Sequence, residues 1–314
     1  MRMSVLGIDI GGTKLAAGVV NTEGNVLMRG EVPTLAGEGP EPVLGRILGL
    51  GRDLLARAAA EKEPVKRIGV GCAGPVDIQA GKVFNPPNLP GWRDVSLVER
   101  VEAELGLPVV LENDANAAAL GEFRYGAGRG ARSLVYLTVS TGIGGGIILD
   151  GKVWHGLKDT AGEVGHMTVF PDGPLCGCGN RGCLEAISSG MSIARRARQA
   201  LGSGRPTRLR EVREPNSADV VRLAREGDVI AREVWDESVK YLGIGVAAVI
   251  TILAPERVVL GGGVTKAGDF LFDPLRAQVR GRVKLVPVEL VPILPAALGG
   301  DVGILGAAAV AMGR

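Results

Sequence analysis

The stretch from Ser4 to Val20, SVLGIDIGGTKLAAGVV, has a counterpart in residues 133–150, SLVYLTVSTGIGGGIILD. In each stretch an apolar run leads into a glycine-rich turn and a second apolar run follows, which is the pattern of a β-hairpin. The recurrence predicts an internal duplication, with two related α/β halves. Because glycine-rich turns can present backbone N–H groups to an anion, two such turns could hold a triphosphate from both sides.

The two turns supply the candidate phosphate contacts. The first turn follows Asp9, whose carboxylate could hold Mg²⁺ directly or through water. An ordinary Gly-Gly hairpin is the alternative for either turn alone, and the pair is far more specific than one turn. The candidate residues are Asp9, Gly11, Gly12, Thr13, Lys14, Thr141, Gly142, Gly144 and Gly145.

A second informative stretch is residues 161–185, AGEVGHMTVFPDGPLCGCGNRGCLE, which holds three of the four cysteines and one of the two histidines. Three cysteines and one histidine are a recognised ligand set for structural Zn²⁺, and the protein fills all four positions. A disulfide between Cys176 and Cys178 would be strained, because only one residue separates them. The predicted ligands are His166, Cys176, Cys178 and Cys183.

Length and charge exclude several classes of protein. A chain of 314 residues is long enough for two domains, and its formal net charge of +2 argues against a general nucleic-acid binder. It lacks an uninterrupted apolar run of about 18 residues, which argues against a membrane span. The first nine residues are too short for a signal peptide, so we expect a cytoplasmic protein.

Two other places carry polar or glycine-rich sequence directly after a predicted strand. Asn113 and Asp114 open an alanine-rich helix, where Asp114 is a candidate for chemistry or, alternatively, a helix N-cap. Gly261, Gly262 and Gly263 follow a strand at 257–260 and would allow close approach of a flat ligand such as adenine, the alternative being a tight turn.

Further elements follow from hydrophobic periodicity. The strand predicted at 65–72 ends in Cys72, which we expect to be a small core residue. The sequence also predicts helices at 94–106, 217–226 (capped by Ser217) and 228–253 (interrupted by Gly243 and Gly245), a last strand at 289–294 and a closing helix at 303–312.

Six motifs together resemble one known family. They are DIGGTK at 9–14, ENDAN at 112–116, TVSTGIGGGI at 138–147, EVGHM at 163–167, CGCGNRGCLE at 176–185 and GGGV at 261–264. With them the chain resembles, over essentially its whole length, the sugar kinases of the ROK family (repressors, open reading frames and kinases), most closely the bacterial glucokinases.

The resemblance implies an actin-like ATPase (ribonuclease H-like) fold, with two α/β domains around a cleft and a structural zinc knot. The smaller domain would span 1–115 plus about 300–314, and the larger 116–299. ATP would bind between the glycine hairpins with adenine near Gly261, Gly262 and Gly263, and the sugar would contact Asn113, Asp114, Glu163, His166 and Glu185. The zinc knot would hold His166 and Glu185 in place.

The implied activity is ATP-dependent phosphorylation of a hexose at its primary hydroxyl, most simply glucose to glucose 6-phosphate. Asp114 is the expected general base, Glu163 and Glu185 would accept hydrogen bonds from sugar hydroxyls, and Mg²⁺ would neutralise phosphate charge. Alternatives are kinases for N-acetylmannosamine, N-acetylglucosamine, fructose or allose, or a non-catalytic sugar-sensing regulator. A repressor of the family would carry an added N-terminal DNA-binding segment, for which a first strand at Ser4 leaves no room. The family also implies a homo-oligomer, a dimer or tetramer.

Overall fold

The computed structural model describes residues 3–313 as an α/β protein. Its strands are β1 (Ser4–Ile10), β2 (Lys14–Val20), β3 (Val26–Pro33), β4 (Val65–Cys72), β5 (Val76–Asp77), β6 (Lys82–Val83), β7 (Val109–Asn113), β8 (Leu134–Val139), β9 (Ile143–Leu149), β10 (Lys152–Val153), β11 (Arg257–Gly261) and β12 (Ile293–Pro295). Its helices are α1 (Pro40–Ala60), α2 (Leu97–Leu105), α3 (Asp114–Tyr125), α4 (Leu184–Ser188), α5 (Gly190–Leu201), α6 (Ser217–Arg225), α7 (Val229–Leu253), α8 (Asp269–Arg282) and α9 (Val302–Ala311). None of these helices combines the length and apolar character that crossing a bilayer requires.

The chain packs as two units, and the first comprises Met1–Arg132, Gly146–Gly162 and Ala297–Arg314. Its sheet has the order β3-β2-β1-β4-β7, with β1 antiparallel to β2 and parallel to β4. The central strand β1 is apolar on both faces, because α1 and α2 cover one face and α9 covers the other. Such two-sided burial explains why its sequence is a continuous apolar run.

Helix α9 lies directly on the sheet at positions that only glycine can occupy. A Cβ at Gly69 in β4 would overlap the carbonyl oxygen of Ala307, and one at Gly121 in α3 would lie 2.9 Å from the Cα of Gly306. These backbone-to-backbone approaches bind α3 and α9 into the first unit. Helix α3, most of which lies beyond the limit at residue 115 that the resemblance implies for the smaller domain, is grouped with α9 in this unit.

The second unit comprises Ser133–Gly145 and Glu163–Ala296, and strand β9 runs across its limit with the first. The second sheet has the order β10-β9-β8-β11-β12, with β11 parallel to β8 and β12. This order repeats that of the first sheet, strand for strand. The two sheets therefore have the relation that the repeated hairpin sequence predicts.

The structure corrects the ends of several predicted elements. Helix α6 is capped by Asn216 in a capping box with Asp219, and not by Ser217. Helix α7 runs unbroken through Gly243 and Gly245, because the side chains of Gln278 and Leu184 pack where their Cβ atoms would be.

Two more corrections concern element limits. Helix α2 begins at Leu97 rather than Asp94, which has a left-handed φ of 52° that starts no helix. The last strand is only Ile293–Pro295, since Val288–Leu290 forms a 3₁₀ turn. Cys72 is fully buried, as expected of a core residue.

The close approach of α9 to β4 generates the first prediction. Gly69→Ala should destabilise the protein by about 3 kcal/mol, because the added methyl group cannot fit under Ala307. Gly45→Ala is the matched control: Gly45 lies in α1 with no atom within 4 Å of the added Cβ, and the exchange should stabilise by up to about 1 kcal/mol. Urea unfolding measures both, and equal stability of the two variants would contradict this account of the packing.

Candidate active site and metal centre

The turn from β7 to α3 presents the candidate base. Asn113 caps the helix, since its Oδ1 accepts the N–H of Ala115 at 2.9 Å and of Asn116 at 3.2 Å. The N-cap is therefore Asn113 and not Asp114. Asp114 lies exposed in the first helical turn, and its Oδ1 accepts the N–H of Ala115 at 2.8 Å. The capping role takes the oxygen of Asn113 and leaves its Nδ2, which lies beside Gly74, as a donor.

Asp9, the penultimate residue of β1, is a second carboxylate near this turn. Burial and, to a smaller extent, the negative charge of Asp114 raise the pKa of its carboxyl to about 7, while Lys14 acts in the opposite direction. Gly303, the second residue of α9, lies against the Asp9 carboxylate, which leaves no space for a side chain there. Two carboxyl groups that repel each other in this way form a place where a cation is stabilised.

The first glycine turn is narrower than the sequence suggested, because β2 already begins at Lys14. Its backbone is held by Thr34, which donates its hydroxyl to the carbonyl of Gly11 at 2.7 Å and its N–H to that of Thr13 at 3.0 Å. Gly12 packs against Asn88, with 2.6 Å between a Cβ placed on Gly12 and that of Asn88. The ammonium group of Lys14 lies 3.4 Å from a carboxylate oxygen on β3, that of Glu31.

The second glycine turn is Ser140–Gly142, and Gly144 and Gly145 lie within β9 rather than in the turn. The start of α5 supports it: the N–H of Gly190 donates to the carbonyl of Ser140 at 2.7 Å, and that of Met191 to Thr141 at 3.4 Å. The turn is thus ordered by its own unit.

Glu185, one of the predicted sugar ligands, contacts this second turn. Its Oε2 accepts the N–H of Ile143 at 2.8 Å and lies against the Cα of Gly142, where a side chain would overlap it. One carboxylate oxygen of Glu185 is thereby committed to the hairpin. Sequence spacing gave no sign of this contact, because 42 residues separate the partners.

The three glycines at the end of β11 and directly after it differ in their roles. Gly261 lies against Tyr136, and Gly262 has a φ of 90° and is crowded by Val139, so both are required by the turn itself. Gly263 is open, with no atom closer than 3.9 Å to an added Cβ. It borders a cavity of about 320 Å³, whose other walls come from α6 and from the residues after Gly263: Ser217, Ala218, Val221, Arg222, Arg225, Glu226, Val264, Lys266 and Ala267.

The four predicted metal ligands come together within the second unit. Their donor atoms all lie within 4.8 Å of one another, with 3.6 Å between Nδ1 of His166 and Sγ of Cys176, and 3.7 Å between the sulfurs of Cys178 and Cys183. Zinc–sulfur bonds of about 2.3 Å in a tetrahedron place neighbouring sulfurs about 3.8 Å apart. The set therefore fits a tetrahedral ion of the size of Zn²⁺.

The loop that carries these ligands is folded by backbone hydrogen bonds. The N–H groups of Val169 and Phe170 both donate to the carbonyl of Gly182, at 2.9 and 3.2 Å. Gly182 has a φ of 67° and lies against the carbonyl of Phe170, so no other residue fits. Burial and the neighbouring thiols raise the pKa of Cys183 to about 12, whereas the backbone N–H of Asn180 lowers that of Cys178. A bound cation would stabilise all three sulfurs as thiolates.

His166 connects the cluster to the predicted sugar ligands. Its Nδ1 faces Cys176, and its Nε2 lies 3.8 Å from Oε2 of Glu163, an exposed carboxylate. A metal bond at Nδ1 leaves the proton on Nε2, which then donates outward. The predicted site residues are divided between the two units. The second unit contains Glu163, His166 and Glu185, and the first contains Asp9, Asn113 and Asp114.

The structure also shows a polar pair to which the sequence assigned no role. Glu112, inside the ENDAN motif, is buried and lies 2.9 Å from His155. A carboxylate inside an otherwise apolar strand was the only available signal, since its partner is 43 residues away.

Two mixed sheets of one strand order, each opening on a glycine hairpin, define the actin-like ATPase fold. The chain belongs to the ROK family, whose family model matches residues 5–314, as the six motifs predicted. It is 38% identical to a glucokinase of Streptomyces coelicolor over 321 residues, 96% of each chain. It is 36% identical over 313 residues to an N-acetylmannosamine kinase of Citrobacter koseri, with 99% of each chain covered.

Among solved structures, the chain matches a ROK family glucokinase from Streptomyces griseus in complex with glucose and AMPPNP. The TM-score is 0.78 and the identity 37%, with 98% of this chain and 99% of that chain covered.

The metal centre generates the second prediction. Cys178→Ser removes one sulfur donor, so metal content measured by mass spectrometry should fall well below one ion per chain. The melting temperature should fall by at least about 5 °C, because a structural ion contributes folding free energy. Cys72→Ala is the control, since Cys72 lies outside the cluster, and it should keep the full metal content. A Cys178→Ser protein with one tightly bound ion per chain would show that these residues are not the ligands.

Proposed function

We propose that this hexose kinase transfers the γ-phosphoryl group of ATP to the primary hydroxyl of glucose. The observation that carries the proposal is the Asn113–Asp114 turn, where Asn113 takes over the helix cap and Asp114 lies exposed beside it. A carboxylate placed in this way can accept the proton of an alcohol, and the neighbouring amide Nδ2 can donate to a second hydroxyl. The relative from Streptomyces griseus, whose structure contains glucose and AMPPNP, supports both substrates.

The second unit supplies the other sugar contacts in this proposal. Glu163 and the remaining oxygen of Glu185 accept hydrogen bonds from vicinal hydroxyls, and Nε2–H of His166 donates one. Zn²⁺ bound by His166 and the three cysteines has a structural role, since the protein fills all four ligand positions. It fixes the ring of His166 and the start of α4, which carries Glu185.

ATP in this proposal is held by backbone N–H groups of the two glycine turns, with adenine in the cavity beside Gly263. Asp9 is the group that would hold Mg²⁺, which when bound neutralises charge on the β- and γ-phosphates. Its single carboxylate suits an ion that keeps most of its water ligands. The family resemblance further supports a homo-oligomer, which light scattering would measure.

Phosphorylation of N-acetylmannosamine is the second candidate, favoured by the relative from Citrobacter koseri. Hexoses that differ at one substituent can be distinguished by a few contacts, so the sugar is decided by measurement. We would measure nucleotide turnover with ATP and Mg²⁺ against glucose, N-acetylmannosamine, N-acetylglucosamine, fructose and allose. The highest kcat/KM with glucose would support the proposal. A preference for another sugar would identify that sugar as the substrate in place of glucose. Absence of turnover with every sugar would support a sugar-sensing regulator.

The assignment of the base generates the third prediction. Asp114→Asn should lower kcat by about 10²–10⁴-fold, because the amide cannot accept the proton, while glucose binding measured by calorimetry stays within about threefold. Asp159→Asn, an exchange of the same kind outside the proposed site, is the control and should keep kcat. An unchanged kcat in Asp114→Asn would exclude Asp114 as the base.

The raised pKa of Asp9 generates the fourth prediction. Between about pH 4 and pH 7 the unfolded chain loses the Asp9 proton that the folded protein retains, so this group lowers stability as pH rises through that window. Above about pH 7 both states are ionised, and the loss of stability stays constant. Asp9→Asn cannot ionise. Without added Mg²⁺ it should melt roughly 3 °C or more above the wild type at pH 8 and close to it at pH 4. A difference that does not grow with pH would contradict the raised pKa.

The same variant should lose turnover, because the amide is a poor ligand for Mg²⁺. Greater stability combined with lost activity distinguishes a functional carboxylate from a structural one.

A further inference from the structure

Glu112 is a buried carboxylate directly behind the turn that presents Asp114. It is the penultimate residue of β7, and only 2% of its surface is exposed. A buried carboxylate is costly unless its oxygens are hydrogen-bonded, so the partners of Glu112 show what it holds.

Its first oxygen serves the turn itself. Oε1 accepts the backbone N–H of Asn113 at 3.1 Å and the side-chain Nδ2–H of Asn116 at 3.2 Å. Asn116 also donates its backbone N–H to the capping oxygen of Asn113. Glu112 and Asn113 therefore hold the first turn of α3 from both sides, with Asp114 between the residues they bind.

The second carboxylate oxygen of Glu112 contacts a residue outside β7 and α3. Oε2 lies 2.9 Å from Nε2 of His155, whose side chain is 28% exposed. Because a carboxylate accepts, the ring donates from Nε2, and this contact needs no positive charge on the histidine.

His155 lies on a loop that follows β10 and is itself held in place. Its carbonyl accepts the N–H of Ala161 at 2.9 Å, and farther along the loop Asp159 accepts the N–H of Ile78 at 3.2 Å. Lys158 and Asp159 both have a left-handed φ, of 50° and 60°, which non-glycine residues adopt only where the surroundings enforce it. The loop ends at Gly162, directly before Glu163.

We propose that Glu112 and His155 are positioning residues for phosphoryl transfer, and that their hydrogen bond fixes the backbone turn which aims Asp114 at the acceptor hydroxyl. The inference rests on the proposed function, in which Asp114 is the base. Neither residue is among the proposed substrate contacts. Their effect is on the orientation of Asp114, to which rates are sensitive because a misplacement of about 1 Å can cost about 100-fold.

The test compares His155→Ala, which removes the donor, with His155→Gln, whose amide N–H can replace it. His155→Ala should lower kcat by about 10- to 100-fold with little change in the KM for ATP or in the affinity for glucose. His155→Gln should restore kcat to within about threefold of the wild type. Asp159→Ala removes the Ile78 contact of the same loop but leaves the Glu112–His155 contact and the hydrogen bond from Ala161 to the His155 carbonyl in place. It is the matched control and should keep kcat within about threefold.

Hydrogen exchange gives a second readout that is independent of activity. Amides in residues 113–120 should exchange faster in His155→Ala than in the wild type or in Asp159→Ala, because the turn has lost its outer support. Wild-type kcat in His155→Ala, or an equal loss in Asp159→Ala, would overturn the inference while the proposed function stands. Absence of wild-type turnover with any sugar would overturn both.

Discussion

The packing of the last helix on the first sheet is the constraint from which the rest of the first unit follows. Helix α9 approaches β4 at Gly69 so closely that backbone meets backbone, and it crosses α3 at the Gly121–Gly306 contact. Its second residue, Gly303, lies against Asp9. A single helix therefore sets the position of the carboxylate at the end of β1 and of the helix that carries Asp114.

The carboxyl groups of the first unit differ in how well their negative charge is stabilised. Burial together with the charge of Asp114 raises the pKa of Asp9, and the positive charge of Lys14 offsets this only in part. Glu112 is a different case, since hydrogen bonds occupy both of its oxygens. Glu112 thus has the environment of a carboxylate that maintains the fold, and Asp9 that of a carboxylate whose charge a ligand would stabilise.

Much of this arrangement could be predicted from local sequence. The hairpins, the strand that ends at Cys72 and the Cys/His set all depend on residues close together in the chain, where spacing alone limits the geometry. The contact of Gly121 with Gly306, by contrast, joins segments 185 positions apart, and local spacing gives no sign of it. Neighbouring polar residues also compete for one N-cap position. Asn216 caps α6, where Ser217 was expected, and Asn113 caps α3, where Asp114 was the alternative.

In the second unit, the loop that carries the predicted metal ligands also sets the position of a predicted sugar ligand. Cys183 is both a predicted metal ligand and the N-cap residue of α4, so the position of Glu185 two residues later depends on the same loop. Glu185 in turn accepts the N–H of Ile143, which starts strand β9 after the second glycine turn. The Cys/His cluster, the predicted sugar ligand Glu185 and the second glycine turn thus form one continuous chain of short contacts. If the other oxygen of Glu185 binds a sugar hydroxyl, sugar binding and the position of the hairpin would be coupled. The two oxygens belong to one rigid carboxylate, so a shift at one contact changes the other.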